Sequence, residues 1–166
     1  MARRGRGCPL QICLRPRSGA PRRLAAAQKR GGEPRNHRTL FNSDHIWAIE
    51  YKETGEPIGC IGYYAHGESN IDIGENDAEA GYWVARPYWN RGICTEALRL
   101  MIDYCFNVKG FNILWCDYFP ENPASGRVME KCGFRDTGLV NRCSHLQLGS
   151  DRPVKVMRLD NPVLGC

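Results

Sequence analysis

The sequence predicts an α/β (α+β) protein, and three stretches of the chain carry that prediction. Residues 46–51 and 58–64 have the composition of two strands, joined by KETGEP with its Thr-Gly hairpin signal. Residues 79–108 have the pattern of a strand, a glycine turn and a long amphipathic helix. Residues 113–118 (ILWCDY) predict one more short strand, which a capped helix follows. Strands and helices therefore alternate through the second half of the chain.

Length and composition favour one globular domain. A chain of 166 residues can bury a sizeable core. No apolar run approaches the roughly 18 residues of a membrane-spanning helix, and the basic N-terminus lacks the continuous apolar segment of a secretory signal. We therefore expect no membrane partner.

The cysteines and histidines predict neither disulfides nor a metal site. The nine cysteines include no C-x-x-C pair, and several lie in apolar periodic runs, where Cys acts as a small hydrophobe. The four histidines are scattered without metal-ligand spacing. We expect reduced thiols in a cytoplasmic protein without a bound metal.

Charge divides the chain into two parts. Residues 1–40, the basic arm, contain ten Arg, Lys29 and one acidic residue, Glu33, so their net charge is +10. Because the whole chain has a net charge of +5, the remaining residues have a net charge of −5. We expect a partly irregular N-terminal segment at 1–40 and one domain at 41–166. The arm suits contact with RNA or the ribosome, or it is an irregular segment whose charge has no specific partner.

Few elements are predicted before residue 45. Leu10–Arg15 has the pattern of a first strand that ends at Pro16, and Arg22–Arg30 has the composition of one short helix. The polar stretch 65–78 predicts a loop or an extended hairpin tip.

The central strand, turn and helix organise the rest of the chain. The strand is predicted at Ala80–Arg86, because Pro87 has no N–H to donate to a sheet. The helix is predicted from Thr95 to a stop at Gly110. Its predicted inward stripe comprises Cys94, Ala97, Leu98, Met101, Cys105 and Val108.

The turn before this helix favours an anion. Gly92 leaves room for a close approach, and the first turn of a helix has unpaired N–H groups at the positive end of its dipole. That place suits a phosphate or pyrophosphate. The alternative is an ordinary strand, turn and helix without a ligand.

A second helix follows the strand at 113–118. Asn122 and Pro123 are a good N-cap and first helical residue, and Gly133 suits the position just after the helix. The predicted inward residues are Val128, Met129 and Cys132. Two final strands are predicted at Phe134–Val140 and Val154–Leu159.

Two strings resemble one enzyme family. YWNRGICTEAL resembles motif A of GNAT-type N-acetyltransferases, and the longer GYWVARPYWNRGICTEAL resembles the RimJ/RimL branch, which acetylates ribosomal-protein N-termini. FPENPASGRVMEKCGF resembles motif B of the same enzymes. Trp89 and Cys94 depart from the general motif A pattern, and the segment before residue 45 has room for one of the family's usual two helices. The resemblance covers roughly residues 45–160.

The resemblance implies a fold and a reaction. The fold is a mixed, splayed central sheet with helices on both faces, and acetyl-CoA enters the gap between residues 80–86 and 113–118. The reaction moves an acetyl group from acetyl-CoA to a primary amine, including a protein N-terminal α-amine. The alternatives are acetylation of a small-molecule amine and a catalytically impaired module that binds CoA or RNA.

The resemblance also assigns cofactor contacts. The backbone of Trp83, Val84 and Ala85 would pair with the pantetheine arm and supply an oxyanion donor. The turn would hold the pyrophosphate through Asn90, Arg91, Gly92, Ile93, Cys94 and Thr95. Asn122 would bond the pantetheine, cap its helix, or do both.

Two residues are candidate catalysts. Glu79, just before the cofactor strand, would deprotonate the amine directly or through water, or it is a solvent-facing residue. Ser125 would donate a proton to the departing sulfur, or it bonds the backbone of the first helical turn. A covalent acetyl-cysteine at Cys94 or Cys132 is not expected, because no His is placed to form the thiolate.

Overall fold

The computed structural model describes residues 12–16, 45–145 and 150–164. They form a seven-stranded sheet with the order β1-β2-β3-β4-β5-β7-β6. The strands are β1 (Ile12–Pro16), β2 (Ile46–Tyr51), β3 (Pro57–Ala65), β4 (Asp77–Val84), β5 (Ile113–Tyr118), β6 (Arg135–His145) and β7 (Ser150–Asp160). The α-helices of this described part are α1 (Ile93–Asp103) and α2 (Pro123–Lys131), and a π-helix, Tyr104–Lys109, continues α1. The predicted α/β class is confirmed.

The sheet opens between its two central strands. Every neighbouring pair is antiparallel except β4 and β5, which run parallel. These two pair over only three positions, from Asp77 opposite Ile113 to Glu79 opposite Trp115. Beyond that point they diverge and leave a V-shaped gap. The predicted splay is therefore confirmed.

One face of the sheet is covered by α1 and α2. Ala97, Leu98 and Met101 of α1 are buried in the same apolar cluster as Ala78 and Ala80 of β4. The Met129 side chain of α2 joins that cluster, and the Cys132 thiol that follows α2 donates to the Thr95 carbonyl. The helix predicted at 22–30 lies outside the described residues, so helical cover on the second face stays a prediction.

The π-helix corrects one predicted core residue. Cys105 and Phe106 are buried, but Val108 is 66% exposed. A π-turn holds more residues than an α-turn, so each later side chain is rotated away from where the α-helical period would put it. The inward position predicted for Val108 is therefore wrong, and Phe106 packs instead.

The loop between β3 and β4 packs on the second face. Ile71 and Ile73 form a small buried cluster with Val156, and Trp115 packs against it. The Trp115 indole N–H donates to the buried Asp77 carboxylate over 3.0 Å. The loop is shorter than predicted, because β4 begins at Asp77 rather than Ala80.

Several predicted boundaries also shift. β2 and β5 match their predictions, and the hairpin turn is confirmed by the bond from the Gly55 N–H to the Tyr51 carbonyl. β1 includes Pro16, which an edge strand tolerates. β4 ends at Val84 instead of Arg86, and β6 and β7 are 11 residues each, longer than predicted. The division of the chain at residue 40 stays a prediction.

Candidate active site

The gap between β4 and β5 has backbone groups on its β4 wall. Along a strand, the N–H and C=O groups alternate between the two neighbours. The Ala85 N–H donates to Ile58 of β3, and the Ala80 carbonyl accepts the Cys116 thiol of β5. The backbone groups of Tyr82 therefore point into the gap, beyond the last residue that β5 pairs with.

This alternation corrects the predicted backbone contacts. The N–H groups of Trp83 and Ala85 face β3, so the expectation that they are free for pantetheine is not met. Val84 does face the gap, but its carbonyl accepts the Trp89 indole N–H over 2.7 Å. Cofactor contacts at Trp83 and Ala85 stay predictions only through their side chains.

The predicted anion site lies at the start of α1. Gly92 has φ 79°, and a Cβ built there would have no atom within 4 Å. The first intrahelical bond runs from the Glu96 N–H to the Gly92 carbonyl, which leaves the N–H groups of Ile93, Cys94 and Thr95 without a helical acceptor. The helix starts two residues earlier than predicted, and its free donors lie where the sequence placed the pyrophosphate.

The loop that precedes α1 is shaped by its own side chains. Asn90 has φ 60°, a left-handed conformation that Asn tolerates better than most residues. The Arg91 guanidinium lies over the Tyr88 ring at 5.4 Å from its centroid. Both Asn90 and Arg91 are exposed beside the helix start, so both are placed to reach an anion there.

Ser125 faces the gap from α2. Its hydroxyl lies 3.2 Å from the Tyr82 hydroxyl, which donates to the Ser125 carbonyl over 3.1 Å. Gly126 lets α2 pack closely against β5, because a Cβ there would lie 2.8 Å from the Tyr118 ring. The structure therefore places the Ser125 hydroxyl beside β4, and its role as the acid stays a prediction.

Tyr82 is a site residue that the sequence reasoning missed. Burial is the main cause that raises the pKa of its phenol, so the hydroxyl stays protonated. A buried Tyr needs a partner for its hydroxyl. In a strand that faces a predicted gap, that need is a signal that a polar contact crosses the gap.

Asn122 does not cap its helix. It occupies the N-cap position of α2, yet its side chain makes no capping hydrogen bond and is exposed. The capping alternative is therefore wrong, and contact with pantetheine stays a prediction.

Glu79 lies within β4, not before it, and it is not solvent-facing. Its side chain is 6% exposed. The carboxylate accepts hydrogen bonds from the Ser69 hydroxyl at 2.7 Å and the Asn70 N–H at 3.1 Å. Glu79 therefore sits at the last paired position before the gap, on the face opposite the helices.

Asp117 is a second missed residue. Its Oδ2 is the single buried side-chain oxygen or nitrogen without a hydrogen-bond partner in the described part of the chain. Burial, and then the negative charge of Glu79, raise the pKa of this carboxyl from 3.8 to about 7. An Asp inside the short apolar strand ILWCDY is a buried-charge signal that the sequence already carried.

Five cysteines of the described part are free thiols: Cys60, Cys94, Cys105, Cys116 and Cys132. Burial raises the pKa of Cys94 and Cys132, which disfavours the thiolate that covalent catalysis needs. Within residues 12–16, 45–145 and 150–164, no group of three or more potential metal ligands occurs. No helix in those ranges is long and apolar enough to cross a membrane.

Comparison with curated proteins finds bacterial N-acetyltransferases. The uncharacterized N-acetyltransferase YoaA of Bacillus subtilis is 30% identical over 96 residues, which are 58% of this chain and 51% of that protein. The uncharacterized protein YkkB of the same organism is 38% identical over 97 residues, 58% of this chain and 54% of YkkB. The chain spans about half the length of these relatives.

Solved acetyltransferase structures share the fold. The ribosomal-protein-S5-alanine acetyltransferase of Vibrio fischeri matches with a TM-score of 0.58 at 21% identity, over 70% of this chain and 61% of that one. A chimera of the Vibrio cholerae spermidine N-acetyltransferase SpeG matches with a TM-score of 0.57 at 19% identity, over 73% of this chain and 69% of that one. The microcin C7 self-immunity acetyltransferase MccE, solved with acetyl-CoA and AMP, matches with a TM-score of 0.56 at 19% identity, over 69% of this chain and 59% of that one.

The family itself is settled by a match along most of the chain. Residues 16–135 match the model of the acetyltransferase (GNAT) domain. That range contains β4, the turn at Gly92, α1, β5 and α2, which together form the gap and its walls. The chain belongs to the GNAT family of acetyltransferases.

Proposed function

We propose that this acetyltransferase moves the acetyl group of acetyl-CoA to a primary amine, and that its preferred acceptor is a protein N-terminal α-amine. One observation supports this above all others. The β4–β5 pairing ends after three positions, the Ser125 hydroxyl lies beside Tyr82 of β4, and the free N–H groups of α1 follow the end of that strand. An extended thioester arm would lie between the two strands where they no longer pair.

The binding roles follow from the geometry. The amides of Ile93, Cys94 and Thr95 hold the pyrophosphate, with Arg91 adding a charged donor. The backbone of Tyr82 bonds the pantetheine arm and donates to the carbonyl oxygen as negative charge develops there. Asn122 bonds the same arm from the α2 side.

The chemical roles divide between the two sides of the gap. The amine nitrogen attacks the thioester carbon, the C–S bond breaks, and the Ser125 hydroxyl protonates the leaving sulfur. Tyr82 fixes the orientation of that hydroxyl. Glu79 gives the opposite side a negative carboxylate where the amine loses its proton.

The pKa of the acceptor favours an α-amine over a lysine. An α-amine, with a pKa near 7.7–8.0, is substantially neutral at neutral pH, whereas a lysine side chain, with a pKa near 10.4, is protonated. The difference of roughly 2.5 units leaves a lysine about three hundred-fold less free base, or about 3.4 kcal/mol. The resemblance to the RimJ/RimL branch and the fold shared with a ribosomal-protein acetyltransferase support the same choice.

A small polycationic amine is the second candidate. The buried Glu79 and the partly buried Asp117 place two carboxylates on one face beside the gap, and a spermidine acetyltransferase shares the fold. The third possibility is a CoA- or RNA-binding module without turnover. Contact of the basic arm with RNA or ribosomes, and a cytoplasmic location, stay predictions.

A thiol-release assay tests the proposal. Acetyl-CoA is offered with three acceptors: a free N-terminal peptide without lysine, its N-terminally blocked twin with one lysine, and spermidine. We expect release of CoA thiol with the first peptide, several times faster than with the others. Faster acetylation of the blocked peptide would refute the α-amine assignment. Turnover of spermidine alone would establish the small-molecule function, and no turnover with any amine would leave a binding module.

A further inference from the structure

The face of the gap away from the helices carries a second carboxylate. Asp117 lies two residues beyond Trp115, the last β5 residue that pairs with β4. Alternate residues of a strand share a face, so Asp117 points with Trp115 away from Leu114 and Cys116, which pack under α1. Glu79 points to the same face from β4. The two carboxylates therefore flank the point where the strands separate.

The two carboxylates differ in their hydrogen bonds. Glu79 is held by the Ser69 hydroxyl and the Asn70 N–H. The Asp117 Oδ2 is buried and has no hydrogen-bond partner among the described residues. A buried polar atom without a partner is rare because it is costly, and it can accept a proton without breaking an existing bond.

The charged groups nearby reinforce this difference. Arg158 lies over the Trp115 ring and pairs with Asp160, and Arg152 lies over the Phe119 ring and pairs with Glu121. Both arginines are therefore engaged elsewhere.

Among the described residues, the immediate neighbours of Asp117 supply no positive charge. Val156 of β7 pairs directly with it, and Glu79 of β4 is the charge that acts on it. Tyr64, which pairs with Glu79 on β3, has a raised phenol pKa and stays neutral.

We propose that Asp117 is a catalytic residue of this transfer: its carboxylate accepts the proton that the attacking amine loses, and Glu79 beside it acts as a fixed negative charge. This inference rests on the proposed function. The nitrogen–carbon bond forms as the carbon–sulfur bond breaks. The amine proton goes to Asp117, which later releases it to water, and the Ser125 hydroxyl passes its proton to the sulfur and takes a proton back from water.

The environment of Asp117 suits that role. Burial and the Glu79 charge hold its pKa at about 7. A general base works best when its pKa is near the operating pH, because it is then both deprotonated and sufficiently basic. In this proposal the amine must approach from the face opposite α1, so that cofactor and acceptor meet in the gap from opposite sides.

The test is the pH dependence of kcat/KM with the best acceptor of the assay above. With the wild-type enzyme, the substrate amine and Asp117 must each lose one proton before the reaction. The plot of log kcat/KM against pH should therefore rise with a slope of about two below roughly pH 6.5. Asp117→Asn should show a slope of about one and a rate roughly 10²-fold lower at pH 7.5. Glu79→Gln should keep the slope of two but move the limb to lower pH, since it removes the charge that raises the pKa of Asp117.

A matched control and a second variant complete the test. Asp72→Asn removes one exposed carboxylate from the loop on the same face and should match wild type. Asp117→Ser repeats the measurement if the Asn variant does not fold. An Asp117 variant with wild-type rate and a slope of two would overturn the inference. So would loss of the limb in Glu79→Gln alone, which would make Glu79 the base. An inactive wild type would instead refute the proposed function.

Discussion

The two faces of β4 differ in the polar side chains that they place beside the gap and in how those side chains are hydrogen-bonded. On the helix side, Tyr82 and Ser125 are hydrogen-bonded to each other across the gap and remain neutral. On the opposite side, Glu79 and Asp117 place two carboxylates on one face, and within the described part of the chain the Asp117 Oδ2 has no hydrogen-bond partner. The hydrogen-bonded pair on the helix side stabilises the fold, in addition to any role that it has in catalysis. The arrangement on the opposite side costs stability, which is typical of groups kept for function.

Loss of the cofactor site should have the largest effect. Gly92→Glu places a side chain and a negative charge at the free amides of α1, so binding of acetyl-CoA should fall by 100-fold or more. In thermal unfolding, acetyl-CoA at about one hundred times its wild-type Kd should stabilise wild type by about 2.7 kcal/mol and the variant by almost nothing.

A matched control separates charge from backbone strain. Gly110 has φ 74° and the same open surroundings as Gly92, but lies at the far end of the helical segment. Gly110→Glu should therefore cost similar strain and keep the acetyl-CoA shift. An equal loss of the shift in both variants would move the cofactor away from the start of α1.

Removal of the Ser125 hydroxyl tests the helix side of the gap. Ser125→Ala should lower kcat by roughly 10²-fold, the low end for acid catalysis, because a thiolate is already a fair leaving group. The Kd for acetyl-CoA should change little. Arg127→Ala, on the exposed side of α2, is the control and should behave as wild type. Unchanged turnover in Ser125→Ala would leave Ser125 as a helix-start residue.

Removal of the Asp117 charge tests the cost of the opposite face. Because the folded pKa is raised from 3.8 to about 7, the folded state binds this proton more tightly than the unfolded chain. The proton on Asp117 therefore contributes its full stabilisation below about pH 4, and this contribution is lost as the pH rises through about 7. Asp117→Asn should be more stable than wild type at pH 8, by about 1–2 kcal/mol and at most about 4 kcal/mol.

Chemical denaturation at pH 4.5 and pH 8 measures this difference. The advantage of Asp117→Asn should be large at pH 8 and small at pH 4.5. An advantage that does not change between the two pH values would mean that Asp117 is not held near neutral pKa. A variant less stable than wild type at pH 8 would show that Asp117 stabilises the fold.

The smallest effect is expected at Tyr82. Tyr82→Phe removes the hydroxyl that orients Ser125 but keeps the ring in the core. One neutral hydrogen bond is worth about 1 kcal/mol, so kcat should fall roughly fivefold and far less than in Ser125→Ala. The double variant should be no slower than Ser125→Ala alone, because Tyr82 acts through Ser125. Additive losses would give Tyr82 a separate role.

The two faces also differ in how far the sequence could predict them. The proposed anion site at Gly92 and the helix that carries Ser125 are local features, so their glycine, capping and periodicity signals lie within a few residues of each other. The placement of Glu79 and Asp117 on one face depends on the pairing of two strands whose register no local signal fixes. Val108 shows a different limit, since nothing in the apolar period indicated that α1 would widen into a π-helix.

The most direct test of the account is a structure of the chain with CoA bound. We expect the pantetheine arm between β4 and β5, the pyrophosphate at the amides of Ile93 to Thr95, and the sulfur within about 3.5 Å of the Ser125 hydroxyl. The opposite side of the sulfur should open toward Glu79 and Asp117. A CoA bound outside the gap, or with its sulfur directed away from both Ser125 and Asp117, would contradict the proposed site.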